Sequence, residues 1–435
     1  MKNISRRSFL KTGAVAAAGL TIVPGSVLGK SFGYTAPSDK LNIAGIGVGG
    51  MGRRNLANMN TENIVALCDV DWHYADKTFK DYPKAKRFKD WRVMFDEMGK
   101  SIDAIMVATP DHTHAGVTAH AITLGKHCYT QKPLTHSVYE SRLLTKLAKK
   151  YKVATQMGNQ GNSFDWCRQI AEWIQSGVIG DVYEVHCWTD RPIWPQGLMK
   201  PNDTPKCPKT LDWDLWIGPA QKRPYNPVYT PWNWRGWWDF GTGALGDMAC
   251  HIMDPLYWAL DLKYPTSVIG SSTLSNLYSP PHAQIVTYTF PARPPKGNVK
   301  MPEVKVYWYD GGLMPPRPEE LKDGQMMGDE NGGIIFIGTK GKIMTGCYGM
   351  NPTLLPVSDM EHFNQPKPTI PRVKGGNGDI WSTNAHEQDW IRACNGIPGK
   401  SYGSLIQLPV LRSVQRDGRD GSLGRSPLRT ARFAS

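Results

Sequence analysis

The sequence predicts an α/β protein whose first third is a doubly wound parallel sheet, followed by a second region of longer, mixed strands and helices. Three observations carry this prediction. From Lys40 onward, short apolar runs alternate with stretches of helical period, as in a parallel sheet flanked by helices. A glycine string, Gly47-Val48-Gly49-Gly50-Met51-Gly52, joins the first apolar run to the first helical stretch. Beyond Gly158 the alternation gives way to strands such as "DVYEVHCWTDRPIW" and then to a tryptophan-rich stretch. At 435 residues the chain is long enough for two or three domains of the usual roughly 100–200 residues each.

The ends of the chain differ from its body. Residues 1–30 carry Lys2, Arg6, Arg7, Lys11 and Lys30 with no acid, and residues 405–435 carry six Arg against two Asp. These ends supply +5 and +4 of the formal +13, leaving about +4 for the body, with no basic stripe of the kind a phosphate backbone needs. Nucleic acid is therefore discounted as a partner. The opening "SRRSFLKTGAVAAAGLTIVPGSVLG" has the basic start, short apolar run and small residues of an export signal, and is too short and glycine-broken to span a bilayer. Arg6-Arg7 followed by Ser8-Phe9-Leu10-Lys11 resembles a twin-arginine signal, whose pathway carries folded proteins. Residues 1–30 are thus expected to be a signal peptide. The mature form, beginning near Lys30, is expected in the periplasm or secreted, without membrane contact. Eight cysteines are scattered without a CxxC pair. Cys68 and Cys128 fall in strand-like runs as small buried hydrophobes, and Cys167, Cys187 and Cys207 are candidates for pairing in an oxidising compartment.

In the first region, "LNIAGIGVGGMGRRNLANM" reads as a strand from Leu41 to Ile46, a glycine turn and a helix. Gly47 allows the tight turn, Gly49 lets the backbone approach a pyrophosphate, and Gly52 lets the helix pack on the strand. The next run, "IVALCDVD", ends in Asp69, 22 residues after Gly47. A carboxylate there accepts hydrogen bonds from ribose hydroxyls and repels a 2′-phosphate, so NAD is expected and NADP is disfavoured. Further strands are expected over 102–108, 127–130 and 153–157. Thr109-Pro110 and Gln131-Lys132-Pro133 end two of them at the edge where such a sheet binds its ligand. The cofactor set is therefore Gly47, Gly49, Gly52, Asp69, Thr109, Pro110, His114, Gln131 and Lys132, in a domain spanning 38–157. Lys132 stands at the rim that would receive nicotinamide.

"GVGGMG", "CDVD", "VATPDHTHAG" and the Lys-Pro of "TQKPLTH", in this order and spacing, resemble the glucose-fructose oxidoreductase / inositol dehydrogenase (Gfo/Idh/MocA) family from about Lys40 to Gly403. The resemblance implies a Rossmann NAD-binding domain and, over 158–403, an α+β domain. That second domain would hold an open, mainly antiparallel sheet whose exposed face forms a dimer or tetramer contact. The family motif is usually Glu-Lys-Pro, with the lysine catalytic. Gln131 replaces that glutamate, keeping hydrogen-bonding capacity and removing a negative charge beside Lys132.

In the second region, eight of the sixteen tryptophans fall between Trp188 and Trp238, offering flat apolar faces suited to stacking on sugar rings. "GALGDMACHIMD" reads as a helix starting near Ala244, with Asp247, His251 and Asp254 at i, i+4 and i+7 on one face. The resemblance matches Asp247 and His251 to the family's Asp-x-x-x-His pair. A histidine is suited to take a hydroxyl proton while hydride leaves the same carbon for C4 of nicotinamide. Lys132 would polarise the oxygen or relay the proton, and Asp247 would orient the substrate or the ring. Substrate candidates are Asn159, Trp234, Arg235, Asp247 and His251. No metal is expected, because no third ligand accompanies the Asp-His pair. Further on, "GGIIFIGTKGKIMTGCYG" reads as two strands joined through Gly341, and "NAHEQDWIRACNG" as a helix stopped by Gly396, with His386 a solvated residue on it. The Arg-, Gly- and Ser-rich tail, 404–435, lacks the apolar helix the family places there. Reading from Arg416 one frame over permits an amphipathic string, so a frameshifted C-terminus is expected.

The function expected is an exported NAD-dependent oxidoreductase acting on a secondary hydroxyl of a sugar, glycoside or cyclitol. Its small-molecule carbohydrate would be oxidised by a tightly bound cofactor, since free reduced cofactor is hard to reoxidise outside the cytoplasm. Two alternatives stand beside it. One is NAD-dependent glycoside cleavage by oxidation, elimination and re-reduction with the same Lys132 and His251. The other is a catalytically inactive sugar-binding protein, for which Gln131 and the tail speak.

Overall fold

The computed structural model describes residues 39–378 and 380–396; the signal segment and the Arg-rich tail lie outside the described residues. Six strands, β1 (Asn42–Ile46), β2 (Asn63–Cys68), β3 (Lys86–Phe88), β4 (Ala104–Val107), β5 (His127–Thr130) and β6 (Thr155–Met157), form a parallel sheet in the order β3-β2-β1-β4-β5-β6. The strand order reverses between β1 and β4, so their carboxyl ends open a crevice. β4 is buried at every position, as a strand covered on both faces must be. The intervening helices are α1 (Met51–Asn58), α2 (Asp76–Asp81), α3 (Trp91–Met98), α4 (Asp111–Thr123) and α5 (Val138–Tyr151). α5 starts at a capping box: the Ser137 hydroxyl accepts from the Glu140 amide while the Glu140 carboxylate accepts from the Ser137 amide.

After α6 (Asp165–Ser176) comes the second sheet, which is mixed and mainly antiparallel. Its strands are β7 (Val182–Thr189), β8 (Ser267–Ser272), β9 (Gln284–Phe290), β12 (Val304–Asp310), β13 (Gly332–Gly338), β14 (Lys342–Gly346) and β15 (Thr353–Leu355), ordered β15-β14-β13-β7-β12-β9-β8. Only the β7–β12 pair is parallel among these neighbours. β10 (Arg293–Lys296) and β11 (Val299–Met301) make a separate ribbon. The inward residues of β9 alternate strictly with partly exposed ones. They pack with Trp173 of α6 and with Leu245, Met248 and Ile252 of α8 (Gly243–Ile252) in one core. The short α7 (Trp213–Ile217) belongs to a small satellite core of Leu211, Trp216, Tyr229, Trp234, Trp237 and Phe240, so much of the tryptophan-rich stretch packs against itself.

Three expectations are corrected here. Asp254 does not extend the face of Asp247 and His251. The chain turns at Met253, Pro255 occupies the first turn of α9 (Asp254–Ala259), and a proline is favoured there because no intrahelical donor is lost. His386 is not solvated: in α10 (Ala385–Cys394) it is 2% exposed, within 2.6 Å of Ser163 Oγ and 2.9 Å of the Met157 carbonyl. The cysteines described are all free, Cys167 and Cys187 both being buried and Cys187 lying in the second core. α10 itself docks on the first sheet. Asn55 donates to Glu387, Gln156 to the His386 carbonyl and Gln388 to the Asn58 carbonyl. Among the described residues no helix is long and apolar enough to cross a membrane.

Candidate active site

The crevice at the switch point is a cavity of about 480 Å³. Its first wall is the glycine turn. Gly47 has φ +74°, and a Cβ there would stand 2.7 Å from the Ala108–Thr109 backbone. A Cβ on Gly52 would fall well inside contact distance of the Gly47 oxygen, and one on Gly49 would strike the Tyr74 ring. The turn is thus held between the end of β4 and Tyr74 with no room for side chains. The amides of Gly50 and Met51 have no hydrogen-bond partner among the described residues and open onto the positive end of α1. That cradle fits the pyrophosphate of a dinucleotide.

Asp69 stands beside the cradle. Its Oδ2 accepts from the amides of Val48 (2.8 Å) and Gly49 (3.3 Å), and its Oδ1 from Asp71 (2.9 Å). Burial pushes its carboxyl up to about 6, and the three amides pull the other way. The carboxylate therefore braces the glycine turn while lining the cavity. Thr109 and Pro110 line the cavity as well, but His114 does not. Its Nδ1 faces the Pro133 carbonyl at 2.8 Å and its Nε2 the Thr109 carbonyl at 2.7 Å. Burial lowers its pKa to about 4, so the ring is neutral and donates to one of the two carbonyls while only packing against the other.

Lys132 Nζ lies 3.0 Å from Asp247 Oδ1 and donates to the Asp247 carbonyl at 3.0 Å; Arg235 Nε donates to the same Oδ1 at 3.0 Å. Burial alone would raise the Asp247 carboxyl, but Lys132 and Arg235 outweigh it and hold the group well below the usual carboxylate range. His251, one turn along α8, is buried and points its Nδ1 at Asn159 Oδ1, 3.0 Å away. Burial first, and then the Lys132 charge, lower its pKa well below the ordinary value, so the imidazole is neutral. With the Asn159 oxygen as acceptor, the ring proton sits on Nδ1 and Nε2 is left as a base. Asn159 is fully buried and off the cavity wall, acting on the histidine rather than facing the cavity. Trp234 and Arg235 do line the cavity, with the Arg235 guanidinium 4.2 Å from the Trp234 ring centre and 4.0 Å from that of Trp232.

Two features were out of reach of sequence reasoning. Gln131 Nε2 donates to Asn55 Oδ1 (2.9 Å), and Asn55 Nδ2 donates to Glu387 Oε1 (2.7 Å). The carboxylate missing at position 131 therefore stands two hydrogen bonds away on α10, where burial raises its pKa. Tyr348 adopts φ +62°, ψ 13°, a left-handed backbone that costs a non-glycine residue on the order of 1 kcal/mol. Its ring meets the His251 ring edge-on at 4.6 Å, and it lines the cavity. No local pattern in "GCYGM" marks Tyr348, and none around Gln131 points to Glu387.

Behind the site, Asp254 accepts from Asn162 at 2.8 Å and feels the Asn159 amide as well, but burial outweighs both and raises its carboxyl to about 7. Such a group stabilises the fold while protonated. Its contribution is fully present below the unfolded value near 4 and is lost as pH rises through 7. Asp254→Asn should accordingly gain on the parent as pH rises from 4 to 8, by about 2–4 kcal/mol for a shift of this size. Denaturant unfolding at a series of pH values checks this, and a constant difference would contradict it.

The first 159 residues include a match, over 41–159, to the oxidoreductase family's NAD-binding Rossmann fold, and residues 168–272 match that family's C-terminal alpha/beta domain. Residues 3–22 match the twin-arginine translocation signal. Among curated relatives, the rhizopine catabolism protein MocA of Rhizobium meliloti is 29% identical over 93 residues, 21% of this chain and 29% of that protein. An alpha-N-acetylgalactosaminidase of Shewanella oneidensis is 24% identical over 210 residues, 42% of this chain and 45% of that protein. The chain thus spans less than half the length of these relatives. Two solved structures share the fold. The WlbA dehydrogenase of Bordetella pertussis, in complex with NADH and UDP-GlcNAcA, has a TM-score of 0.54 at 16% identity, covering 82% of this chain and 88% of that one. Levoglucosan dehydrogenase, in complex with NADH and L-sorbose, has a TM-score of 0.53 at 17% identity, covering 82% and 90%. With both domains matched in order around one NAD cradle, and an export signal ahead of them, the chain belongs to the Gfo/Idh/MocA family of NAD-dependent oxidoreductases.

Proposed function

We propose that this protein is an exported dehydrogenase that oxidises a secondary hydroxyl of a sugar, glycoside or cyclitol. The observation that carries the reading is a neutral His251 with Nε2 unspent, next to the Lys132–Asp247 pair, in the cavity that also holds the glycine cradle. Gly50 and Met51 would hold the pyrophosphate, Asp69 the adenosine ribose, and Thr109, Pro110 and Gln131 the nicotinamide end. When bound, the dinucleotide supplies the hydride acceptor. His251 Nε2 takes the hydroxyl proton, and Asn159 keeps the ring in the tautomer that permits this. The Lys132 ammonium stabilises negative charge developing on the same oxygen, and Asp247 anchors the ammonium there. An enzyme acting outside the cytoplasm keeps its cofactor, so tight retention belongs to the reading.

The match to an alpha-N-acetylgalactosaminidase favours a second reading, in which oxidation is followed by elimination of a glycosidic leaving group and re-reduction. One experiment separates the two. The dinucleotide released from denatured protein is identified, and native protein is incubated with methyl and aryl glycosides while reduced cofactor and free aglycone are followed together. Reduced cofactor without aglycone supports the dehydrogenase, aglycone without net reduction supports cleavage, and neither, with sugar bound, returns the inactive binder. Tyr348 tests the site from another side. Its hydroxyl has no partner among the described residues, and the strained backbone sets the ring against His251. Tyr348→Phe should lower kcat/KM by about tenfold, one substrate hydrogen bond, without changing Tm. An unchanged kcat/KM would remove the hydroxyl from the site.

A further inference from the structure

The charges lining the cavity are unevenly divided. Asp69, Asp71 and Lys89 stand at the ends of β2 and β3, whereas Lys132, Arg191 and Arg235 stand around His251 against Asp247. The Arg191 charge bears on both His251 and Tyr348, which places it at the reacting end. Its one ion pair is with its neighbour Asp190, whose side chain is 37% exposed against 18% for Arg191. Among the described residues that line this end of the cavity, three cations face one carboxylate, Asp247, while Asp111, Asp190 and Asp329 stand behind the wall and offset part of that charge.

The donors are also left over. Arg191 spends Nη1 on Asp190, and neither Nε nor Nη2 has a partner among the described residues. Arg235 spends Nε on Asp247 and Nη1 on the Trp232 carbonyl, while Nη2 has none. None of these nitrogens is among the fully buried unpartnered atoms, so each is open to the cavity or to water, and the planar guanidinium fork matches a carboxylate. An oxidised nicotinamide would add positive charge to the same compartment.

We propose that the sugar carries a carboxylate, as a hexuronate does, and that Arg191 receives it together with Arg235 while the ring hydroxyl meets His251. This rests on the sugar-oxidising reading and narrows its substrate class. Arg235 also bears on Tyr74 above the glycine turn, so Arg191 is the diagnostic residue.

The test is calorimetric titration of the protein carrying its dinucleotide with D-glucuronate, D-galacturonate and D-mannuronate, each beside its neutral hexose, at low and high ionic strength. At least one acid should bind tenfold or more tightly than its neutral partner, with the preference shrinking in salt. Arg191→Gln should bring the ratio near one with the released dinucleotide unchanged. Arg191→Lys, which keeps the charge without the fork, should give an intermediate ratio. Equal binding of acids and hexoses overturns the proposal, as does a preference that survives Arg191→Gln. Glucose 6-phosphate binding more tightly than every acid overturns the carboxylate. Binding is read without turnover. An acid preference with no cofactor reduction would therefore sink only the dehydrogenase reading, and reduction by neutral hexoses without preference would sink only this one.

Discussion

Lys132→Ala is expected to lower kcat by about 10²–10⁴-fold while the protein keeps its dinucleotide. Two effects combine in that loss. The ammonium that stabilises the reacting oxygen disappears, and Asp247, now faced only by Arg235, is a buried carboxylate with half its compensation removed. A second readout separates this from simple misfolding. The Lys132 charge is one of the causes that depress the His251 pKa, so its removal should move the acid limb of the kcat/KM profile to higher pH. The direction follows from the sign: a cation beside an imidazole disfavours its protonated form, and deleting the cation restores it. Released dinucleotide, kcat and the pH profile of residual activity check the prediction together. Turnover at the parental rate would take Lys132 out of the mechanism.

Gly52→Ala is expected to cut dinucleotide affinity by about 100-fold, roughly 2.7 kcal/mol, with the second sheet intact. The added methyl would press on the backbone oxygen of Gly47, and neither partner is a flexible side chain that can swing away. α1 must therefore shift from the end of β1, carrying the Gly50 and Met51 amides out of the geometry that holds a pyrophosphate. Calorimetry with NAD on the stripped protein measures the effect. Affinity within threefold of the parent would mean that the turn tolerates the displacement.

Gly52 and Lys132 are legible because each sits in a local pattern: a glycine spacing between strand and helix, and a polar residue at the end of an apolar run. Asp247 and His251 are legible for the same reason, since one helical turn sets them side by side. The parallel, doubly wound character of the first sheet was readable too, because apolar runs alternating with helical stretches leave few topologies. What was missed depends mostly on distant contacts. His386 lies in a helix whose polar residues meet the first sheet instead of solvent, and nothing within α10 distinguishes these cases. Asp254 keeps the spacing of its neighbours until Pro255 restarts the helix. Arg191 and Tyr348 reach the cavity from the second sheet, the one after β7 and the other just past β14, at positions no spacing rule connects to a glycine turn far upstream.

The docking of α10 on the first sheet has a consequence for the order in which the molecule matures. Gln156 and the His386 carbonyl that it bonds are separated by 230 positions. At about 5–20 residues per second of synthesis, the strands of the NAD-binding sheet leave the ribosome about 10–50 s before the helix that completes them. During that interval Asn55 lacks Glu387 and Gln156 lacks the His386 carbonyl, so the hydrogen-bonded link from Gln131 stops at Asn55. The full backing of Gln131 is thereby tied to synthesis of the polypeptide through at least Cys394. A translocation route that admits folded protein consequently receives a molecule in which that backing reports that the chain has been made through α10.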